Sequence, residues 1–246
     1  MNLARRSLPL HPKTTYTAMM IITAFLRWAV RKKWIPHNPL QDVRLAKPAF
    51  QPKYAPPPSA INALLEAAPK RLRTIFYVLA FTGMRSGELQ LLRFGDVDLA
   101  NNWIRVQSLK AKMTRIRPVR KVPIHPRLHP FLKAHLRTRK LDPARPLFCA
   151  TASRKYPDGN HVINTKHLNE DAKRIAAAAG LPVGRSKDGF VIHSFRHGFE
   201  TAAINSNIPQ RVVDAWLGHT ADRSMGAVYY RLSENDSQAF MAKLVL

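Results

Sequence analysis

The apolar residues near the start of the chain lie in one stretch with a helical period. Between Thr17 and Lys33 they recur at steps of three and four residues, which is the pattern of an amphipathic helix. The members of this apolar face are Met20, Ile21, Ala24, Phe25, Trp28 and Ala29. Pro36 and Pro39 end the pattern, because proline disfavours helix in the residue before it. A single helix cannot cover its own apolar face, so this one needs a partner.

A proline-rich segment separates this helix from the rest of the chain. Residues 46–58 are rich in proline and poor in branched aliphatic side chains, which predicts an extended and fairly stiff linker. We therefore divide the chain into an N-terminal part at 1–45, a linker at 46–58 and a larger domain at 59–246.

The larger domain begins with helical patterns. The first covers 60–68, with Ser59 as its N-cap, and the second covers 70–82. Gly83 ends the second helix, since glycine readily adopts the left-handed conformation that follows a helix. A third helical pattern extends over 86–94.

Two short strand patterns follow these helices. They lie at 103–106 and 119–124, and turn-forming residues stand before the first of them. The connection at 109–118 is strongly cationic, which predicts a hairpin tip that meets an anionic ligand. Beyond Pro126 the pattern is mostly helical again.

The composition indicates a large core and a polyanionic partner. A chain of 246 residues with 46% hydrophobic content can bury a substantial core. The 40 Lys and Arg residues against 15 Asp and Glu leave a formal net charge of +25. Such an excess repels itself unless a polyanion is bound, and nucleic acid is the leading candidate. A membrane surface is the alternative, but no segment has the pattern of a basic amphipathic anchor.

The cysteine content and the hydropathy bear on location. Cys149 is the only cysteine, so the chain cannot form an internal disulfide or a cysteine-clustered metal site. The sequence has no apolar run near the roughly 18 residues that span a bilayer, and its first residues lack the apolar stretch of a secretion signal. We therefore expect a cytoplasmic protein that does not enter the membrane.

Four short segments carry the candidate chemistry. They read TGMRSGEL at 82–89, HSFRH at 193–197, LGH at 217–219 and VYY at 228–230. In order and spacing they resemble the motifs of the tyrosine recombinase, or phage-type integrase, family of site-specific recombinases. Each motif alone is weak, but the four together in a basic chain make chance agreement improbable. The resemblance covers about 55–246.

The resemblance assigns the arginines and histidines to a scissile phosphate. Attack on a phosphodiester builds charge on its nonbridging oxygens, and two guanidinium groups answer that charge bidentately, as lysine cannot. Arg85 and Arg196 are the expected clamp. His193 lies three residues before Arg196 at a helix start, which places both on one face. His219 follows the helix-ending Gly218 and can donate to a phosphate oxygen.

A metal site is the alternative for two of these histidines. His193 and His197 stand four residues apart, which is a common spacing of metal ligands. The glutamate of an HExxH site is absent, because Ser194 occupies its position. We therefore expect no metal and no other cofactor.

Two tyrosines compete for the role of nucleophile. Adjacent positions on a helix point about 100° apart, so only one of Tyr229 and Tyr230 can face the phosphate. The family's usual apolar-Tyr-x-His pattern favours Tyr229, with Arg231 where the family often has histidine. Tyr229 is therefore the expected nucleophile, and Tyr230 is expected to pack.

The family also has a lysine on a β-hairpin that protonates the departing 5′ oxygen. The cationic hairpin offers Lys110, Lys112 and Lys121. Lys112 best fits the family's Lys-Thr-x-Arg pattern, and Lys110 is the reserve. Each could instead contact a backbone phosphate. Glu88, three residues after Arg85, is expected to buttress Arg85 or to cap its helix and not to act as a catalyst.

The resemblance implies a fold and an activity. The fold would be mainly α with a small antiparallel β-sheet (α+β), an integrase-type catalytic domain at 59–246 preceded by a partial helical core-binding domain at 1–45. The activity would be DNA integration or recombination of a mobile element through a 3′-phosphotyrosine intermediate. The partners would be double-stranded DNA and further copies of the chain, a tetramer on DNA joined through the apolar C-terminal segment at 237–246.

One departure and two alternatives accompany this reading. The family's N-terminal domain usually has four or more helices, whereas 1–45 shows one clear helix. A type IB topoisomerase uses the same catalytic residue types but rejoins the same strand. A noncatalytic DNA-binding remnant is the other alternative, and the presence of every catalytic residue type argues against it.

Overall fold

A computed structural model describes most of the chain. The described residues are 11–43, 46–49, 53–109, 118–137, 142–154, 156–157, 159, 161–184, 188–219 and 233–246. The chain divides into two compact units, Met1–Pro52 and Lys53–Leu246. None of the described helices is both long and apolar enough to cross a membrane.

The described part of the first unit consists mainly of helix α1 (Pro12–Arg31). The helix begins five residues before the predicted start because His11 caps it and Pro12 stands at its first position, where proline's missing N–H has no partner to lose. Its apolar side chains remain largely exposed, and Ala29 is the buried residue among them. The Trp28 and Trp34 rings pack edge to face, with centroids 4.6 Å apart.

The second unit is mostly helical. Its described helices are α2 (Pro58–Ala67), α3 (Lys70–Thr82), α4 (Ser86–Leu91), α5 (His129–Arg137), α6 (Thr165–Ala178), α7 (Ser194–Asn205), α8 (Gln210–Leu217) and α9 (Glu234–Ala242). Strands β1 (Val97–Asp98), β2 (Trp103–Gln107) and β3 (Val119–Pro123) form an antiparallel sheet in that order. The predicted fold class, mainly α with a small antiparallel sheet, is confirmed.

Helix α3 is the central element of this unit. It is apolar on nearly every side and packs against α2, α5 and α7. Gly83 follows it with φ of 60°, as predicted for the residue that ends this helix. A Cβ atom on Gly83 would lie 2.6 Å from side-chain atoms of Leu217 and Phe199. Glycine is therefore required here for the turn and for the close approach of α7 and the end of α8.

The two longer strands form the hairpin that the sequence predicted. Ile104 pairs with Val122, and both are fully buried. Because side chains alternate across a strand, Arg120 shares the inward face with Val122, while Lys121 points outward. The amide of Ser108 donates to the carbonyl of Pro118 at 2.9 Å and closes the described part of the hairpin.

Two predicted helix boundaries were wrong. Helix α2 begins at Pro58 with Pro57 as N-cap, so Ser59 lies inside the helix and is not its cap. The helix predicted over 86–94 ends at Leu91. Beyond it, Leu92 and Phe94 hydrogen-bond with the backbone of 145–147, and a short 3₁₀ turn forms at Phe94–Asp96. Local pattern does not reveal this long-range pairing.

The C-terminal segment packs on its own unit. Met241, Leu244 and Leu246 are buried in the common core. The Nε2 of His125 lies 3.1 Å from the carbonyl oxygen of Leu244. The indole N–H of Trp216 in α8 donates to the Ser237 hydroxyl at 2.9 Å. These contacts fix the segment against the sheet and α8.

Candidate active site

Three of the four motif segments meet at the guanidinium of Arg196. This side chain lies in the first turn of α7, and the residue is 3% exposed. It donates to the carbonyl of Gly83 at 2.9 Å and to that of Leu217 at 2.8 Å. Its Nη2 also lies 2.9 Å from Nε2 of His219. Segments far apart in sequence are thus brought together around one cation.

Arg85 is held at the start of α4 by Glu88. The backbone N–H of Arg85 donates to Glu88 Oε2 at 2.9 Å, and its guanidinium donates to Oε1 at 3.0 Å. The predicted buttressing and capping by Glu88 are both present. About a quarter of the Arg85 side chain stays exposed, so it remains accessible to a ligand.

The two motif arginines interact through their charges. Burial first, and then the charge of Arg85, lower the pKa of Arg196 to about 10. Arg196 therefore remains a cation near neutral pH, although a neighbouring cation opposes its charge. An anion bound at this position would relieve that repulsion.

Arg120 is a member of the site that sequence reasoning missed. It binds both oxygens of Glu88, at 2.8 and 3.2 Å, and its Nε donates to the carbonyl of Trp216 at 2.6 Å. Burial disfavours ionisation of Glu88, but the hydrogen bonds and charges of Arg120 and then Arg85 outweigh it and lower the pKa of that carboxyl. Strand alternation carried the signal: Arg120 is a charged residue at an inward position.

His193 stands at the N-cap of α7, beside several cations. Its ring lies edge to face against that of His197, with centroids 4.8 Å apart. Although the residue reaches solvent, partial burial of the ring lowers its pKa to about 4, with further contributions from His197, Arg196 and Arg85. His193 is therefore neutral near pH 7. The buried Nε2 of His197 has no hydrogen-bond partner among the described residues.

His219 stands just past α8, after Gly218. Gly218 has φ of 66°, and a Cβ there would lie 3.1 Å from the Arg120 side chain. The His219 Nδ1 lies 3.0 Å from Oδ1 of Asp214. Asp214 is a second residue that sequence reasoning missed, since a carboxylate within a helical stripe gave no motif signal.

The remaining predicted residues lie partly outside the described chain. Tyr229, Tyr230, Lys110 and Lys112 fall there. Lys121 lies on the face of β3 opposite to Arg120 and forms an ion pair with Glu234. Its Nζ atom lies 5.7 Å from the centroid of the Trp103 ring.

Leu109 is the last described residue before Lys110 and Lys112 in the sequence. Its side chain packs against Gly87, and a Cβ atom on Gly87 would overlap it. Leu109 therefore lies against the first turn of α4. Among the described residues no group of three or more His, Cys, Asp or Glu side chains is arranged to hold a metal ion.

Comparisons of the sequence identify the family. The model of the phage integrase family matches residues 57–236. A tyrosine recombinase XerC-like protein of Caldanaerobacter subterraneus subsp. tengcongensis is 24% identical over 239 residues, which cover 85% of this chain and 59% of that protein. A putative integrase/recombinase, y4gC, of Sinorhizobium fredii is 27% identical over 188 residues, covering 75% of this chain and 89% of the relative. The chain thus spans less than two thirds of the first of these relatives.

Solved structures have the same fold at lower identity. The Tn1549 transposon integrase, in complex with a circular intermediate DNA, superposes with a TM-score of 0.69 at 18% identity over 96% of this chain and 80% of that one. The integrase from mycobacterium phage Brujita gives a TM-score of 0.59 at 19% identity, over 97% of this chain and 74% of that one. The family model covers well over half of the sequence, and the chain therefore belongs to the phage integrase family of tyrosine recombinases.

Proposed function

We propose that this chain cleaves and rejoins DNA strands at specific sites through a covalent 3′-phosphotyrosyl intermediate. The observation that carries the proposal is the convergence of Gly83, Leu217 and His219 on the buried guanidinium of Arg196, with Arg85 within electrostatic reach. Such an arrangement of fixed donors suits the charge that develops on a phosphate in its transition state.

Arg85 and Arg196 would hold the two nonbridging oxygens of the scissile phosphate. Arg196 is fixed by carbonyl groups and Arg85 by Glu88, so neither guanidinium needs to be ordered when DNA binds. Each retains donors beyond these contacts, because a guanidinium has five N–H groups. The phosphate would also separate two cations that repel one another in the free protein.

Tyr229 would supply the nucleophile and His193 would take its proton. The Tyr229 oxygen attacks phosphorus, the bond from phosphorus to the 5′ oxygen breaks, and that oxygen takes a proton from Lys112. His193 is neutral near pH 7, which leaves it a lone pair for the phenolic proton. The reverse attack by a 5′ hydroxyl rejoins a strand without an external energy source.

A suicide duplex tests this function. The full chain is incubated with nicked duplexes that span the DNA flanking its gene, so that the released fragment diffuses away and the covalent adduct accumulates. Tyr229→Phe should abolish the adduct and leave noncovalent DNA binding nearly intact, because it removes only the nucleophilic oxygen. Tyr230→Phe is the matched control and should retain the adduct. An adduct with the Tyr229→Phe variant but not with Tyr230→Phe would transfer the role to Tyr230.

The role of Lys112 needs its own experiment, since Lys110 is equally cationic. In a duplex with sulfur in place of the bridging 5′ oxygen, the leaving group departs without a proton. Lys112→Ala should therefore be slow on ordinary DNA and close to the unsubstituted protein on the sulfur-containing duplex. Lys110→Ala should show no such rescue. Rescue of Lys110→Ala alone would assign the acid to Lys110.

Double-stranded DNA is the partner that the charge and the relatives support. The net charge of +25 favours a polyanion. Structures with this fold include a lambda integrase dimer bound to a COC' core site and a lambda integrase tetramer bound to a Holliday junction. We propose that this chain also assembles on DNA, with residues 237–246 moving from their own unit to the equivalent surface of a neighbour.

We further propose that residues 1–45 are part of a helical DNA-binding domain and 46–58 a linker to the catalytic domain at 59–246. The exposed apolar face of α1 supports a role in a larger assembly of helices. The names of the relatives favour exchange between DNA sites over the relaxation that a type IB topoisomerase performs. A strand-exchange assay with two marked duplexes separates these activities, and adduct formation would exclude a noncatalytic remnant. A DNA substrate would also agree with the cytoplasmic location expected from the sequence.

A further inference from the structure

Asp214 holds His219 through both its side chain and its backbone. The carboxylate Oδ1 lies 3.0 Å from Nδ1 of His219 and also accepts from the Gln210 amide at 3.0 Å. The carbonyl oxygen of Asp214 accepts the backbone N–H of His219, again at 3.0 Å. One residue in the last turn of α8 therefore holds both the imidazole and the backbone of His219.

The partners of the ring determine where its proton lies. Nε2 of His219 faces Nη2 of Arg196 at 2.9 Å, and a guanidinium group offers only donors. Nε2 must therefore present its lone pair. The ring proton then lies on Nδ1, where it is donated to the Asp214 carboxylate.

The side chain of Asp214 has no evident structural task of its own. Gly218 ends α8 through its left-handed conformation, and its amide bonds to backbone carbonyls. A carboxylate beside a phosphate-binding arginine also repels DNA, in a chain with only 15 acidic residues against 40 Lys and Arg. This electrostatic cost points to a benefit at His219.

We infer that Asp214 is a positioning residue that fixes the orientation of the His219 ring beside Arg196 during cleavage. The inference rests on the proposed function. The ring is partly exposed, and its Nε2 faces the guanidinium that would hold the scissile phosphate. By fixing Nδ1, Asp214 sets the direction in which the His219 ring meets a phosphate bound at Arg196.

A double-mutant cycle tests whether Asp214 acts through His219. Single-turnover adduct formation is measured for the unsubstituted chain, Asp214→Asn, His219→Gln and the double variant. Asp214→Asn should slow adduct formation at least about tenfold in the otherwise unsubstituted chain. It should have almost no effect in the chain that already contains His219→Gln. Gln210→Ala is the matched control, because it removes the other partner of Asp214 and keeps the carboxylate. Equal slowing by Asp214→Asn in both backgrounds would overturn the inference.

A spectroscopic measurement separates this inference from the proposed function. In NMR spectra of the free protein labelled with ¹⁵N-histidine, His219 should carry its ring proton on Nδ1. The signal of that proton should move upfield in Asp214→Asn, because a charge-assisted hydrogen bond is lost. A proton on Nε2 in the unsubstituted chain would overturn the inference. If the Nδ1 proton is present but no DNA forms an adduct, the pair exists as described and the proposed function fails, together with the catalytic benefit of Asp214.

Discussion

The start of α7 and the end of α8 each place a histidine beside Arg196, and the charges around the two histidines differ. His193 lies among His197, Arg196 and Arg85, and its pKa is lowered to about 4. His219 instead has the carboxylate of Asp214 on its Nδ1 side. The same side chain is thus kept neutral in one place and paired with an anion in the other.

The helix end adds to this difference at His193. His193 precedes the first turn of α7, and the partial positive charge at the start of a helix disfavours an imidazolium there. At the end of α8 the carbonyl groups are already paired: those of Trp216 and Leu217 accept from Arg120 and Arg196, and those of Asp214 and Ala215 accept from backbone N–H groups. The anionic group that His219 contacts is therefore the Asp214 carboxylate.

Substitution of Arg196, which stands between the two regions, should have the largest effect. Arg196→Ala is expected to slow adduct formation at least about a hundredfold, as loss of a preorganised transition-state donor does. It should also lower the melting temperature, because the carbonyl groups of Gly83 and Leu217 lose their buried donor.

Arg85→Ala is the matched variant for this experiment. Arg85→Ala should slow cleavage as much as Arg196→Ala does. It should lower the melting temperature less, since the Arg85 side chain is about a quarter exposed. Suicide-duplex kinetics and thermal unfolding provide the two readouts. Normal cleavage by either variant would contradict the arrangement of the site.

Loss of the ion pairs of Glu88, one of which connects α4 with β3, should have the next largest effect. Glu88 is 1% exposed and binds both Arg85 and Arg120. Glu88→Gln should reduce the free energy of unfolding by about 3 kcal/mol, because it leaves Arg85 and the largely buried Arg120 without their anion.

The control for this substitution is Glu170→Gln. Glu170 is an exposed partner of Lys173, and its replacement should leave the free energy of unfolding nearly unchanged. Urea unfolding measures both variants. Equal effects would show that the pairs of Glu88 are no more important than a surface contact.

The sequence predicted the elements of the site better than their connections. Gly83 and Gly218 were identified as helix ends, and both have the positive φ that such ends need. Arg85, His193, Arg196 and His219 could be proposed as site residues because family motifs are contiguous in sequence. Local pattern does not record which carbonyl groups surround a buried guanidinium, so the bonds of Arg196 to Gly83 and Leu217 came only from the structure.

Arg120 and Asp214 show why the rest was missed. Arg120 contacts Glu88 through tertiary packing, across 32 residues of the chain. In a chain with 40 Lys and Arg, a further arginine carries little information by itself. Asp214 is five residues from His219, but only the turn at Gly218 brings the two side chains together. The same holds for α4, whose end at Leu91 depends on the distant backbone at 145–147.

The smallest predicted effect is a dependence of stability on pH that arises from the α7 side of the comparison. The pKa of His193 is lowered in the folded chain to about 4, whereas its ordinary value is 6.5. Between these values the unfolded chain binds a proton that the folded chain does not, so the free energy of unfolding falls as the pH falls. Burial lowers the pKa values of His125 and His197 as well, and they act in the same direction.

Urea unfolding between pH 7 and pH 5 measures this dependence above the range in which carboxylates such as Glu88 take up protons. His193→Gln should flatten the curve, since glutamine does not titrate, while the curves of the two proteins should run parallel at pH 7 and above. The matched comparison is His197→Gln, which removes the ring that packs against His193. It should flatten the curve too, both by removing its own titration and by admitting water to His193. If His193→Gln leaves the slope unchanged between pH 6.5 and pH 5, His193 is not held neutral by its surroundings, and the contrast between the two histidines is lost.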